Sequence, residues 1–484
     1  MDPDTAAANI RSLSCKLDTE LKKNTDWNKV VEILKEISEI FKTESSRSLT
    51  VSSEFLETAS TILETYLAES REVKGLNQTV TEVFRCLRNS CIGSKDNQDT
   101  ICRNSRIPLL ARDFIRMILK EGSEDAEVQL CCAVQFIGNA VVNNYDNQIL
   151  VWSSFSPDFP LLLSSCDWNL GHYTCMVVHN CLATLISQPN ADIRPIDVKD
   201  PLMQSLILAV MDMLKKEDSE WGIFVLEDFL LVEDFISVMY PQMDNEQKLL
   251  VLDVMANQLQ RPCEENKDFQ DYSPQICESN LLYLAKDFKE MSNILLSLGD
   301  SDTVDGKEME EVSFVFCHEV YACHNCSFQQ PFVLLKELEV LCWATCQHIG
   351  YRALTQDDTG LLSCAIKLLQ SISEVGQDAT SIFAPVNKAK DMERVDTQHP
   401  SYGIKRDLIR LIGNMVYRNK ANQDKVRELN GIPLILNQTN IDGRNPFITQ
   451  WSILAIHNLC EDNETNKVAV ASIRPEAQSV NKVT

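Results

Sequence analysis

The sequence predicts an all-α protein built as a right-handed solenoid of stacked helical repeats, and three observations lead there. Glycine and proline are scarce, at 15 and 16 in 484 residues, about half their share of a typical globular chain. Long segments carry apolar residues at helical spacing. One short pattern, an asparagine followed eight residues later by Asn-Gln, recurs along the chain.

Few punctuating residues in a long chain mean helices joined by short connections, since an all-β fold needs many turns. The helical spacing is plainest in "LIRLIGNMVYRNKANQDKVRELNGIPLIL". There Leu408, Ile409, Leu411, Ile412, Met415 and Val416 form one apolar stripe, and Asn414 falls off it. The segment "RNKANQ" breaks the pattern and supplies asparagines to cap the next helix. A short amphipathic helix follows in "DKVREL". The chain then turns at "NGIP", with Gly431 expected as the helix-ending residue and Pro433 in a first helical turn.

The same pattern returns elsewhere. Asn89 is followed by Asn97-Gln98 and Pro108, Asn139 by Asn147-Gln148, and Asn414 by Asn422-Gln423 and Pro433. Asn458 is followed by Asn466, with Lys467 in place of the glutamine, and Asn180 marks a degenerate copy. Asn89 and Asn139 are 50 residues apart, and Asn414 and Asn458 are 44 apart. Helical repeats of this period indicate an armadillo/HEAT-like fold, and the short helix after the loop favours the three-helix armadillo unit.

Charge narrows the function. The formal net charge is −25 and the pI about 4.7, which disfavours nucleic acid and anionic membrane surfaces as partners. The opening "MDPDTAAANIRSLSCKLDTE" lacks the basic and then apolar run of a secretion signal. No apolar stretch reaches bilayer length. Eighteen cysteines in no secreted framework, such as Cys131, Cys132 and Cys175, read as reduced core thiols of an intracellular protein.

The repeat asparagines Asn89, Asn139, Asn414 and Asn458 admit two roles. Stacked third helices line a continuous face, where a side-chain amide can hold the backbone of an extended peptide or tether the neighbouring repeat. Four residues before them stand Arg85, Gln135, Arg410 and Leu454. Importers of basic signals carry tryptophan there, so an import-type adaptor is the weaker alternative. Arg85 with Arg88, and Arg410 with Arg418 one turn either side of Asn414, instead put cations on this face. A groove for acidic partner segments is expected.

The acidic stretch 297–312 reads as a linker between an N-terminal array (1–296) and a C-terminal one (313–484). A second break runs from Asp378 to Gly403. Cys323 and Cys326, with Cys342 and Cys346, have spacing that can hold zinc, and Cys317 and His318 lie just upstream. Cys342 and Cys346 are equally explained as one buried helical face. Phosphate-binding glycine loops are absent, and histidines and carboxylates form no identifiable catalytic set. The expectation is a non-enzyme without cofactor, with a zinc-binding module around Cys323 and Cys326 as an alternative.

Several of these segments together resemble one family. "FRCLRN", "VQFIGN" and above all "LIRLIGN", "NKANQDKVRELNGIPLIL", "NPFITQW" and "AIHNLCEDN" are similar to the ataxin-10 family, over roughly Val80 to Asn466 and most specifically over Lys405 to Asn466. The resemblance implies an armadillo-like, cytoplasmic, non-enzymatic protein with a family domain at about 400–470. It implies self-association into homo-oligomers and roles in neuron survival, neurite outgrowth and cytokinesis. It also implies perinuclear, centrosomal, ciliary-base or midbody placement. The partners it implies are O-GlcNAc transferase and a G-protein β subunit. After about Val468 the chain departs from the helix and basic residues that the resemblance implies.

Overall fold

The computed structural model describes residues 3–473 except 23–24, 44–50, 69–74, 122–126, 166, 188–195, 262–275, 300–329, 348 and 394. All regular structure among the described residues is helical. The chain divides into two units, Met1–Val232 and Glu233–Thr484. Of the acidic stretch 297–312, Ser297–Gly299 end a helix and the remainder lies outside the described residues.

The first unit contains α1 (Pro3–Lys22), α2 (Trp27–Lys42), α3 (Ser53–Ala68), α4 (Leu76–Cys91), α5 (Lys95–Asn104) and α6 (Ile107–Glu121). They are followed by α7 (Glu127–Val141), α8 (Tyr145–Phe155), α9 (Phe159–Leu163), α10 (Trp168–Ser187), α11 (Pro201–Lys216) and α12 (Glu220–Leu230). The second contains α13 (Phe235–Met239), α14 (Asn245–Gln260), α15 (Glu278–Gly299), α16 (Gln330–Gln347), α17 (Ile349–Gln356) and α18 (Thr359–Val375). It continues with α19 (Ala389–Met392), α20 (Ile404–Val416), α21 (Lys420–Glu428), α22 (Gly431–Leu436), α23 (Ile448–Cys460) and α24 (Glu464–Ser472).

Each unit is organised by a row of third helices. In the first, α2, α4, α7, α10 and α12 pack in succession; in the second, α14, α16, α20 and α23 do the same. Between α4 and α7 lie the short α5 and the longer α6, which is the three-helix armadillo unit read from sequence. Helix α20 is buried all round except at Arg406. The single apolar stripe expected there was too narrow, because neighbours cover both flanks.

The linker out of α4, α7, α20 and α23 has a fixed design. Four residues after the repeat asparagine the backbone enters the left-handed region, at Gly93, Asn143, Arg418 and Asp462 with φ of 64°, 53°, 51° and 52°. Only glycine does this without strain. Next comes a capping residue, Ser94, Asn144, Asn419 or Asn463. Its side chain accepts from the backbone N–H of the motif's second asparagine, Asn97, Asn147, Asn422 or Asn466.

That second asparagine then reaches back. Its Nδ2 donates to Ser90, Ala140, Met415 or Leu459 O at 2.8–3.0 Å. The glutamine beside it donates likewise to Cys91, Val141 or Val416 O. The Asn-Gln pair is thus a clamp on the last carbonyls of the third helix, which have no partner within their own helix. At "NGIP" the left-handed residue is Asn430, φ 56°, one before the expected Gly431. Gly431 opens α22 instead, where a Cβ would sit 2.7 Å from Val426 Cγ1.

Candidate protein-binding face

The third helices place the repeat asparagines in register, and their amide N–H groups are spent on the neighbouring repeat. Asn89 Nδ2 donates to Ser38 O and Oγ, at 3.3 and 3.0 Å. Asn139 donates to Arg88 O at 3.1 Å, Asn414 to Cys342 O at 3.2 Å and Thr345 Oγ1 at 3.0 Å, and Asn458 to Gly413 O at 3.0 Å. Of the two roles open from sequence, this geometry is tethering. Asn180 has no such bond and turns back on Met176 O of its own helix.

The glutamines extend the tether forward. Gln98 also donates to Asn139 O, and Gln423 to Asn458 O, both at 2.9 Å. Gln356, in a stretch without the asparagine pattern, donates in the same way to Tyr417 O at 2.9 Å. It marks a further copy that the sequence motif missed. Its only sequence signal is a lone glutamine at a helix end.

The arginines divide into neutralised and free. Arg85 pairs with Glu82 at 2.6 Å on its own helix, and Arg88 donates to Gln135 Oε1 at 2.6 Å. Arg418 does not continue the helix beyond Asn414, because α20 ends at Val416. It occupies the left-handed corner, exposed, with its Nε 3.4 Å from Glu461 Oε1. The expected joint cationic face of Arg410 and Arg418 is therefore not formed.

Arg410 is different. It is buried, and its guanidinium carbon lies over the rings of Trp343 and Trp451, 4.0 and 5.1 Å from their centroids. These tryptophans were missed because they stand at register positions other than four residues before an asparagine. Packing α20 between α16 and α23 brings them together.

Neighbouring side chains set the helix entry. Asn445 Oδ1 accepts from Lys405 N and Arg406 N, at 3.0 and 3.3 Å, so the "NPF" asparagine caps α20 from outside. Lys405 is buried with Nζ donating to Phe383 O at 2.8 Å, and loss of hydration lowers its pKa. Of the zinc candidates, Cys323 and Cys326 lie outside the described residues, as do Cys317 and His318. Cys342 is fully buried with its thiol donating to Asp407 O at 3.1 Å, and burial pushes its pKa well up. Cys346 is half-buried. Among the described residues no His, Cys, Asp and Glu group is arranged to hold a metal.

Known proteins supply the context for this geometry. A family model described as the spinocerebellar ataxia type 10 protein domain matches residues 404–484, starting at the first residue of α20. Ataxin-10 of Macaca fascicularis is 32% identical over 406 residues, covering 82% of this chain and 77% of its own length. This chain belongs to the ataxin-10 family. Ataxin-10 of Xenopus tropicalis is 28% identical over 479 residues, covering 94% of this chain and 89% of its own. The ataxin-10 homolog of Dictyostelium discoideum is 50% identical over 72 residues, 15% of this chain. An engineered protein of known structure overlays with a TM-score of 0.35 at 13% identity, covering 93% of this chain and 98% of its own. That overlay is too loose to bear on the fold, which rests on the packing of the third helices.

Proposed function

We propose that this chain is a non-enzymatic scaffold that binds partner proteins along its third helices and self-associates through the flank of α23. One observation carries the second half. Helix α23 repeats the pattern of α20, 44 residues on, but no third helix follows it among the described residues. Ile453 and Leu454 are 60% and 44% exposed, whereas their counterparts Ile409 and Arg410 are buried. An apolar flank exposed at positions that the same pattern buries in α20 is a natural surface for a second copy.

Sedimentation of the full chain against an Ile453→Glu/Leu454→Glu variant tests this. A concentration-dependent oligomer in the wild type that falls to monomer in the variant supports the reading. Identical sedimentation of the two removes it. The proposal extends to the partners the family resemblance implies, O-GlcNAc transferase and a G-protein β subunit. It also extends to cytoplasmic action at the centrosome, ciliary base or midbody, with roles in neurite outgrowth and cytokinesis. Pull-down with each purified partner is the direct check.

A further inference from the structure

We infer that Arg410, stacked between Trp343 and Trp451, is the anion-recognition fork of the partner-binding face, taking a carboxylate or phosphate on a partner peptide. The inference rests on the scaffold reading and names the chemistry of its partner. Arg410 is 8% exposed, and its Nε has no hydrogen-bond partner. Among the described residues no carboxylate pairs with its guanidinium, in a chain with 70 acidic side chains. The acid beside it is already engaged: Asp407, which like Arg410 acts on Cys342, is bonded to Arg406 at 2.6 Å.

A guanidinium taken out of water without an acceptor is unfavourable, and the two ring faces offset only part of that loss. They also fix the planar group, so little freedom is lost when an oxyanion meets its N–H fork. The indole N–H of Trp343 is a second buried donor without a partner beside the same guanidinium. Both unmet groups are donors, so the fitting ligand is an acceptor. A basic peptide is the wrong partner, because Arg410 already lies over the tryptophan rings that a lysine stem would stack on.

The test is calorimetric titration of the full chain with three capped tripeptides: triglutamate, glycyl-phosphoseryl-glycine and triglutamine. Saturable binding of either anionic peptide, none of triglutamine, and at least tenfold weakening in Arg410→Gln support the site. Preference for triglutamate or for the phosphopeptide assigns the source of the oxyanion. Arg410→Lys keeps the cation but not the fork, and weakening there at an unchanged melting temperature separates recognition from folding. Failure of both anionic peptides to bind, or equal binding by wild type and Arg410→Gln, overturns the inference. In the latter cases, a cytosolic partner list shared by wild type and Arg410→Gln leaves the scaffold reading standing, and an empty list for both removes that reading too.

Discussion

Helices α20 and α23 are copies of one pattern, yet one is enclosed and the other is open on a flank. Asn414 and Asn458 make the same tether, to Cys342 O and Gly413 O. The corner residues Arg418 and Asp462 share one backbone conformation, and the clamps on Met415 O and Leu459 O are alike. What differs is the next helix. Gly413 lets α23 approach until a Cβ placed there would be 3.2 Å from Ala455 Cβ; at the matching position in α23, His457 is exposed. Local pattern makes the repeat, and the neighbour decides which of its residues are core.

The sharpest test of that difference pairs Ile409→Ala with Ile453→Ala. Ile409 is fully buried, so its truncation should cost about 3 kcal/mol of unfolding free energy by the transfer and cavity terms, whereas exposed Ile453 should lose under about 0.5 kcal/mol. Denaturant midpoints would measure both, and equal losses would mean that the flank of α23 is covered. Next in size are the tethers. Asn414→Ala and Asn458→Ala should each cost about 0.5–1.5 kcal/mol, because the inter-repeat hydrogen bond to Cys342 O or Gly413 O is lost. A null effect at both would leave the ladder with no energetic role.

A smaller, pH-dependent difference lies at the helix entries, where the position of buried Lys405 in α20 is taken by Thr449 in α23, 44 residues on. The folded pKa of Lys405 is lowered, chiefly by desolvation. The unfolded chain therefore holds more protons between that value and the ordinary one, and stability rises with pH across this window. Lys405→Met should remove the rise, so its advantage over wild type should shrink as pH increases, by at most about 1.4 kcal/mol for each pH unit that the window spans. Parallel curves would exclude the effect. The smallest change expected is Arg418→Gly, which relieves a left-handed corner at some entropic cost and should gain under about 1 kcal/mol in thermal unfolding.

Much of this architecture is legible in the chain alone. Asn89, Asn139, Asn414 and Asn458 announce the repeat through spacing, because a clamp eight residues beyond each of them, just past the helix end, needs a fixed number of residues in the corner. The N-cap at Asn419 and the end of α20 follow from local chemistry for the same reason. Local rules act over a few residues and leave their mark in a single stretch of chain.

The direction of an amide, the company of an arginine and the exposure of a flank are set across tens of residues. Whether Asn414 faces a ligand or Thr345 depends on how closely α16 approaches α20. Arg410 lies between Trp343 and Trp451, 67 residues before it and 41 after, and no periodicity within one repeat relates the three. The order and ends of the repeats were thus in the chain itself. The role of each side chain was decided by packing, since burial and hydrogen bonding belong to pairs of surfaces and not to either one alone.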